Sequence, residues 1–212
     1  MMTPKEISYR NTANGMIEKM AVRGMDGYYC DTREEACAKA LELMPEGASV
    51  SFGGSMTLSE IGLLDAIRQG QYEVIDRADA KTPEERRAIY GRIVTADYFL
   101  MSTNAITLNG ELINIDGFGN RVACLCCGPE NVIVVAGMNK VTSTVEEGIN
   151  RAKNIAAPPN AVRLSRPTPC TQIGRCAECQ MEGCICAQTV ITRRSLIPHR
   201  IKVILVGEEL GF

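Results

Sequence analysis

The sequence predicts an α/β fold, a mostly parallel open sheet with helices on both faces. Short apolar runs alternate along the chain with longer segments that are apolar on one side only. The longer segments open with Ser or Thr three residues before Glu, the form of a helix N-terminus. Capped helices between short strands favour parallel pairing, because each helix carries the chain back across the sheet. With 212 residues, 45% of them apolar, the chain has material for a sizeable core.

In order, Thr3-Pro4-Lys5-Glu6 opens a first helix, with Pro at its first position and Met16, Ile17 and Met20 on one face. After a turn at Met25-Asp26-Gly27, Tyr28–Cys30 is the first strand candidate. Thr32 to Glu35 opens a helix whose apolar face carries Ala36, Cys37, Ala40, Leu41 and Met44. Ala48–Phe52 is a strand, and Thr57 to Glu60 opens the next helix. Tyr72–Asp76 is a strand, Thr82-Pro83-Glu84-Glu85 a helix start, and Tyr98–Ser102 a further strand. Asn109-Gly110 between Ala105–Leu108 and Glu111–Ile115 signals a hairpin. Asn131–Gly137 is a strand, Ser143 to Glu146 opens a helix, and Ile201–Gly207 is the final strand.

The pattern breaks after Pro158-Pro159. Residues 165–199 hold three prolines and five cysteines with little apolar periodicity. A good strand follows, so the stretch reads as an insertion into a single domain of residues 1–212.

Charge and cysteine usage narrow the function. A net charge of −2 gives no basic grip on nucleic acid or an anionic membrane. No apolar run is long enough for a bilayer span and no signal peptide opens the chain, so a cytoplasmic protein is expected. Ten cysteines in a chain with ample core and no export signal are expected to be reduced: buried, reactive or metal-bound. His199 is the only histidine, which removes His-rich zinc sites.

The strongest chemical signal is Cys170, Cys176, Cys179, Cys184 and Cys186, five thiols within seventeen residues that include a C-x2-C pair. Thiolates at this spacing can converge on one soft centre, with Gly174 and Gly183 supplying turns. An iron–sulfur cluster, with four thiolates on a [4Fe–4S] centre, is the expectation. Zinc is the alternative, although structural zinc takes four ligands and here a fifth thiol is left over. A redox disulfide, or no metal, is also open. Cys126-Cys127 could extend the site or belong to a short buried helix, and Cys30 and Cys37 read as core.

A second group lies in loops that follow strands. Ser51, Gly53, Gly54 and Ser55 end one strand, Asn104 follows another, and Lys140 a third, which places all three loops on the carboxyl edge of a parallel sheet. Asn120 and Arg121 follow the Gly-rich turn after the hairpin. Amides of Gly53, Gly54 and Ser55 with the cation Lys140 would hold an anionic group. Glu60 is the candidate for acid–base work, against a plain role in its helix cap.

Ser51-Phe-Gly-Gly-Ser-Met-Thr-Leu-Ser-Glu-Ile-Gly62, Ala96 to Thr107, Gly110-Glu-Leu, Gly119-Asn-Arg121, Gly128-Pro129 and Gly137-Met-Asn-Lys140 together resemble the lactate-utilisation (LUD) domain. The resemblance covers about residues 5–165 and the last strand. It implies a fold similar to the sugar-phosphate isomerases and CoA-transferases, and kinship with proteins of bacterial L-lactate oxidation, whose complexes contain iron–sulfur partners. It also implies the Ser51–Ser55 loop, Glu60, Asn104, Asn120, Arg121 and Lys140 as the family's pocket. Two functions follow as expectations. One is an iron–sulfur redox protein exchanging electrons with a small organic acid or a partner oxidoreductase. The other is a binding or regulatory module for an acid or phosphorylated metabolite, with a structural zinc. An isomerase or transferase on the same fold is a third. The oligomeric state is open, a homodimer included.

Overall fold

In the computed structural model, which describes residues 2–212, helix starts follow the predicted hydroxyls with two shifts. Thr3 caps α1 (Pro4–Val22), and Glu6 reaches back to the Thr3 N–H. Thr82 and Glu85 make the same reciprocal pair at α5 (Pro83–Val94). Thr32 caps α2 (Arg33–Glu42), with the Glu35 carboxylate accepting one residue further back, from the Asp31 N–H. The first shift is at α7 (Val145–Arg151), capped by Thr144 rather than Ser143, with Glu147 taking the place of Glu146. Burial of Gly148 against Ile113, and of Arg151, sets that register. The second is at α3 (Met56–Glu60), capped by Ser55, which leaves Thr57 buried inside the helix and Glu60 at its end.

Six strands form one all-parallel sheet: β1 (Asp26–Cys30), β2 (Ser49–Phe52), β3 (Glu73–Ile75), β4 (Tyr98–Met101), β7 (Asn131–Gly137) and β10 (Ile201–Val206). Their spatial order is β1-β10-β7-β4-β2-β3. Both faces are covered, and the central strand divides its side chains between them. Val132, Val134 and Ala136 of β7 pack with Met16 and Met20 of α1 and Ile89 and Ile93 of α5. Ile133 and Val135 pack the other way, with Ala36 and Ala40 of α2, Leu58 of α3, and Leu63 and Ile67 of α4 (Leu63–Gln69). Burial on both faces explains why β7 reads as an unbroken apolar run.

The predicted hairpin forms, but outside this sheet. β5 (Ala105–Thr107) and β6 (Leu112–Asp116) pair antiparallel, Ala105 opposite Ile113. They build a second, four-stranded sheet with β8 (Val141–Thr142) and β9 (Gln188–Thr192), in the order β8-β5-β6-β9. β9 lies within the segment read as irregular. It pairs antiparallel with β6 along five residues, from Asp116 opposite Gln188 to Leu112 opposite Thr192. Its residues are half-buried or exposed, so it carries no apolar run.

The break assigned to Pro158-Pro159 is not an end. The chain leaves α7 through a wide π-turn at Ala152–Ala156 and continues as α8 (Ala157–Arg163), whose first turn holds both prolines. Proline is tolerated there because first-turn N–H groups have no partner within the helix. Next come α9 (Cys170–Ile173), the remaining cysteines and β9. Just before β10 the chain is anchored by buried Arg200, which donates to the carbonyls of Cys124, Leu125 and Pro129 at the end of α6 (Asn120–Cys126). A cation there also offsets the negative end of the helix dipole. Among the described residues, no helix is long and apolar enough to cross a membrane.

The shifted cap gives a direct test. Thr144→Ala should cost about 1 kcal/mol of stability, the usual worth of a lost N-cap hydroxyl. Ser143→Ala should cost less than half of that, as read by urea denaturation.

Candidate functional site

Strands β2, β4 and β7 are neighbours, so the loops leaving their carboxyl ends meet. They form one wall of a cavity of about 940 Å³. Gly54, Ser55, Asn104, Asn120, Arg121 and Lys140 line it, together with Thr57, Ser102 and Asp116. The common placement read from the sequence therefore brings Gly54, Ser55, Asn104 and Lys140 to one space, and the turn after the hairpin adds Asn120 and Arg121.

The other three lie elsewhere. Ser51 is buried within β2, its hydroxyl donating to the Ile75 carbonyl across to β3. Gly53 is buried behind the cavity, and its N–H already donates to the Leu100 carbonyl at 2.9 Å, so that amide is not free for an anion. A Cβ on Gly53 would stand 3.3 Å from the Arg121 side chain, which makes the residue a spacer for arginine. Glu60 is exposed at the end of α3 and accepts from the Gly211 N–H at 2.7 Å. It neither caps its own helix nor lines the cavity, but its charge still reaches Lys140.

Arg121 is held from all sides. Its guanidinium donates to the carbonyls of Ser102 (3.2 Å) and Ile115 (2.9 Å) and to the side-chain oxygens of Asn104 (3.2 Å) and Asn114. Asp116 lies 3.4 Å from its Nε. With its donors committed, Arg121 shapes the cavity and contributes charge without a free fork for a ligand. Arg151 is buried and committed in the same way, to the carbonyls of Asn139 and Asn104.

Lys140 is buried, yet its Nζ meets two hydroxyls rather than a carboxylate: Thr57 Oγ1 and Ser102 Oγ, each at 2.9 Å. Burial, with the charges of Arg151 and Arg121, pushes its pKa down to about 7, while Glu60 acts the other way. Lys140 is not the lone cation of the site. Arg77, Arg86, Arg163 and Arg166 also line the cavity. Arg77 comes so near Gly54 that a Cβ there would lie 3.1 Å from its guanidinium. Its place directly after β3 on the same sheet edge was the signal that could have found it.

Cys170, Cys176, Cys179, Cys184 and Cys186 all line a second, smaller cavity of about 160 Å³. The chain turns between Cys176 and Cys179 through Glu178 in the left-handed region (φ +50°), and the Glu178 N–H points at Cys176 Sγ, 3.4 Å away. Burial, with neighbouring Cys184, Cys176 and Cys170, pushes Cys186 up to about 12, and burial also raises Cys184. Among the described residues, however, no three His, Cys, Asp or Glu side chains are gathered tightly enough to grip an ion as they stand. The thiols share a cavity without closing on one point. Soft donors in this number around one space fit an iron–sulfur centre or zinc by their chemistry. Cys126 and Cys127 are exposed at the far end of α6 and do not line this space. Ala157, Cys184, Ile185 and Cys186 line both cavities, so the two spaces share a wall.

Two outcomes follow from Arg121 and Lys140. Arg121→Met should destabilise the fold by about 3 kcal/mol or more, because Asp116 is left buried beside no charge. Lys140 binds a proton more weakly folded than unfolded, so its effect on stability becomes more favourable as pH rises from about 7 towards 10.5. Wild type should therefore gain on Lys140→Met over that range in urea titrations, and a constant difference would contradict the assignment.

The LUD domain family profile matches residues 13–206. A crystal structure of a DUF162 family protein from Deinococcus radiodurans superposes with a TM-score of 0.51 at 14% identity, covering 97% of this chain and 99% of that one. The δ and β subunits of eIF2B from Chaetomium thermophilum superpose over parts of their length. The δ subunit gives a TM-score of 0.36 at 18% identity, over 52% of this chain and 48% of that one. The β subunit gives 0.38 at 15%, over 54% and 44%. No curated protein matches the sequence. The profile spans the parallel sheet, the cavity loops and the cysteine segment, and the chain belongs to the LUD domain family, related to lactate utilisation.

Proposed function

We propose that the protein is an iron–sulfur redox protein that exchanges electrons with a small organic acid in the larger cavity, or with a partner oxidoreductase. One observation carries this reading: five thiols line one cavity, and residues 184–186 of that lining are also the wall of the charged cavity. Cys176 and Cys179 would be the first ligands, since C-x2-C closes on one centre with the least loop entropy. Cys170 and Cys184 would complete four, with Cys186 the spare. A bound cluster would supply electron transfer beside the acid. The chain's own residues would do the rest: Lys140 and the arginines favour an anion, and the Asn104 amide can orient it. Ionising crowded, half-buried thiols is costly, and a bound cation relieves that cost.

The cavity's size favours a second reading. About 940 Å³ lies near the top of the roughly 300–1,000 Å³ of small-molecule sites and exceeds what a three-carbon acid fills. Four further arginines in its lining suit phosphate, so a phosphorylated metabolite sensed by a module with structural zinc is the alternative.

Anaerobic purification followed by iron, sulfide and zinc analysis separates the two. The redox reading expects iron and sulfide, an electron paramagnetic resonance signal on reduction, and near-complete loss of iron in Cys176→Ser and Cys179→Ser with helix content unchanged. Cys37→Ser should keep its iron and lose stability instead. Full iron and sulfide in both ligand variants, or zinc in the wild type, would overturn it.

A further inference from the structure

We propose that Lys140 forms a Schiff base: its Nζ condenses reversibly with the carbonyl of a 2-oxo acid in the larger cavity. The inference rests on reading that cavity as a small-acid site and does not depend on a metal.

The hydrogen bonds around Nζ suit a neutral amine. Thr57 Oγ1 donates its own proton to the Leu210 carbonyl and Ser102 Oγ donates to the Thr103 carbonyl, each at 3.4 Å. Both hydroxyls therefore face Lys140 as acceptors, at 2.9 Å. A neutral amine has two N–H groups for these two acceptors and one lone pair left over. An ammonium would carry a third N–H with neither hydroxyl to receive it. Two cations and one carboxylate reach Nζ. Buried Arg151 and half-buried Arg121, each fixed by its own bonds, oppose its protonation, and exposed Glu60 offsets them only in part. Surface lysines are protonated at neutral pH and poor nucleophiles, and a desolvated lysine beside other cations is the arrangement that activates an amine.

The same two guanidiniums select the ligand. Their field favours a carboxylate next to Nζ, and a 2-oxo acid carries one on the carbon adjacent to its carbonyl. In the step, the nitrogen lone pair forms a bond to the carbonyl carbon and the C=O π pair moves to oxygen. A proton passes from nitrogen to that oxygen, giving a carbinolamine. The nitrogen lone pair then expels the hydroxyl, which takes one proton from solvent and leaves as water, and the C=N bond that remains is a cationic iminium. No oxidant or reductant is needed. The iminium charge then pairs with the acid's own carboxylate, and hydrolysis restores the lysine.

The test uses the full chain with pyruvate and sodium cyanoborohydride near neutral pH, which reduces the imine to a stable secondary amine. The expected product carries the mass of pyruvic acid less one oxygen atom. Peptide mapping should place it on Lys140 about tenfold or more faster than on exposed Lys5 or Lys81. Lys140→Met should lose that adduct and keep the slow surface labelling; mapping of the wild type decides the case even if the variant folds poorly. Labelling spread over exposed lysines with none on Lys140 would overturn the proposal. Calorimetric titration of pyruvate separates the failures. Binding without an adduct sinks the Schiff base alone, and neither binding nor adduct sinks the small-acid site with it. An adduct on protein without iron leaves the amine chemistry standing and removes the redox reading.

Discussion

One guanidinium, that of Arg121, joins the two sheets. Arg121 leaves the first turn of α6 and binds the Ser102 carbonyl just past β4, the Asn104 side chain, Asn114 and the Ile115 carbonyl of β6, and Asp116. Parallel and antiparallel sheets have different twists and hydrogen-bond directions, so their junction leaves carbonyls with no strand to pair them. Arginine, with five donors in a rigid fork, satisfies several at once. The same side chain lines the cavity beside the junction. Gly53 is small because the arginine stem occupies the space a Cβ would need.

The legible part of the fold was the part written in local chemistry. Hydroxyl caps, the Asn-Gly hairpin and the apolar strands are each encoded within a few residues, and the six parallel strands follow from them. The misreadings share a cause: tertiary contacts chose between near-equal local options. Ser55 and Thr57 both resemble caps, and burial of Thr57 and Leu58 decides for Ser55. Ser143 and Thr144 are equivalent in sequence, and the approach of Gly148 to Ile113 decides for Thr144. β9 was invisible because an edge strand with mostly exposed side chains needs no apolar alternation, only a partner's free backbone groups.

At the site, placement was legible and role was not. Strand-following loops of the parallel sheet bring Gly54, Ser55, Asn104 and Lys140 to one cavity, and the turn after the hairpin adds Asn120 and Arg121. Sequence cannot say whether a donor is spent, and spending separates these residues. The Gly53 amide and the Arg121 fork are engaged within the protein, while Lys140 is held by hydroxyls alone. Arg77 carried the same signal as the other loops, a place directly after a strand, and the pairing of β3 with β2 brings it beside Gly54.

Residues 184–186, with Ala157 of α8, are common to the walls of two spaces. A shared partition has thermodynamic consequences whatever fills either side. A shift of the partition that favours an occupant of one chamber changes the affinity of the other, and the coupling must be equal in both directions. The pairing of β9 with β6 and the Arg200 anchor fix the chain downstream of the partition, so its freedom to move is confined to a few residues. The arrangement is a short diaphragm clamped at one rim, through which two binding equilibria can be linked with no subunit rotation or domain closure.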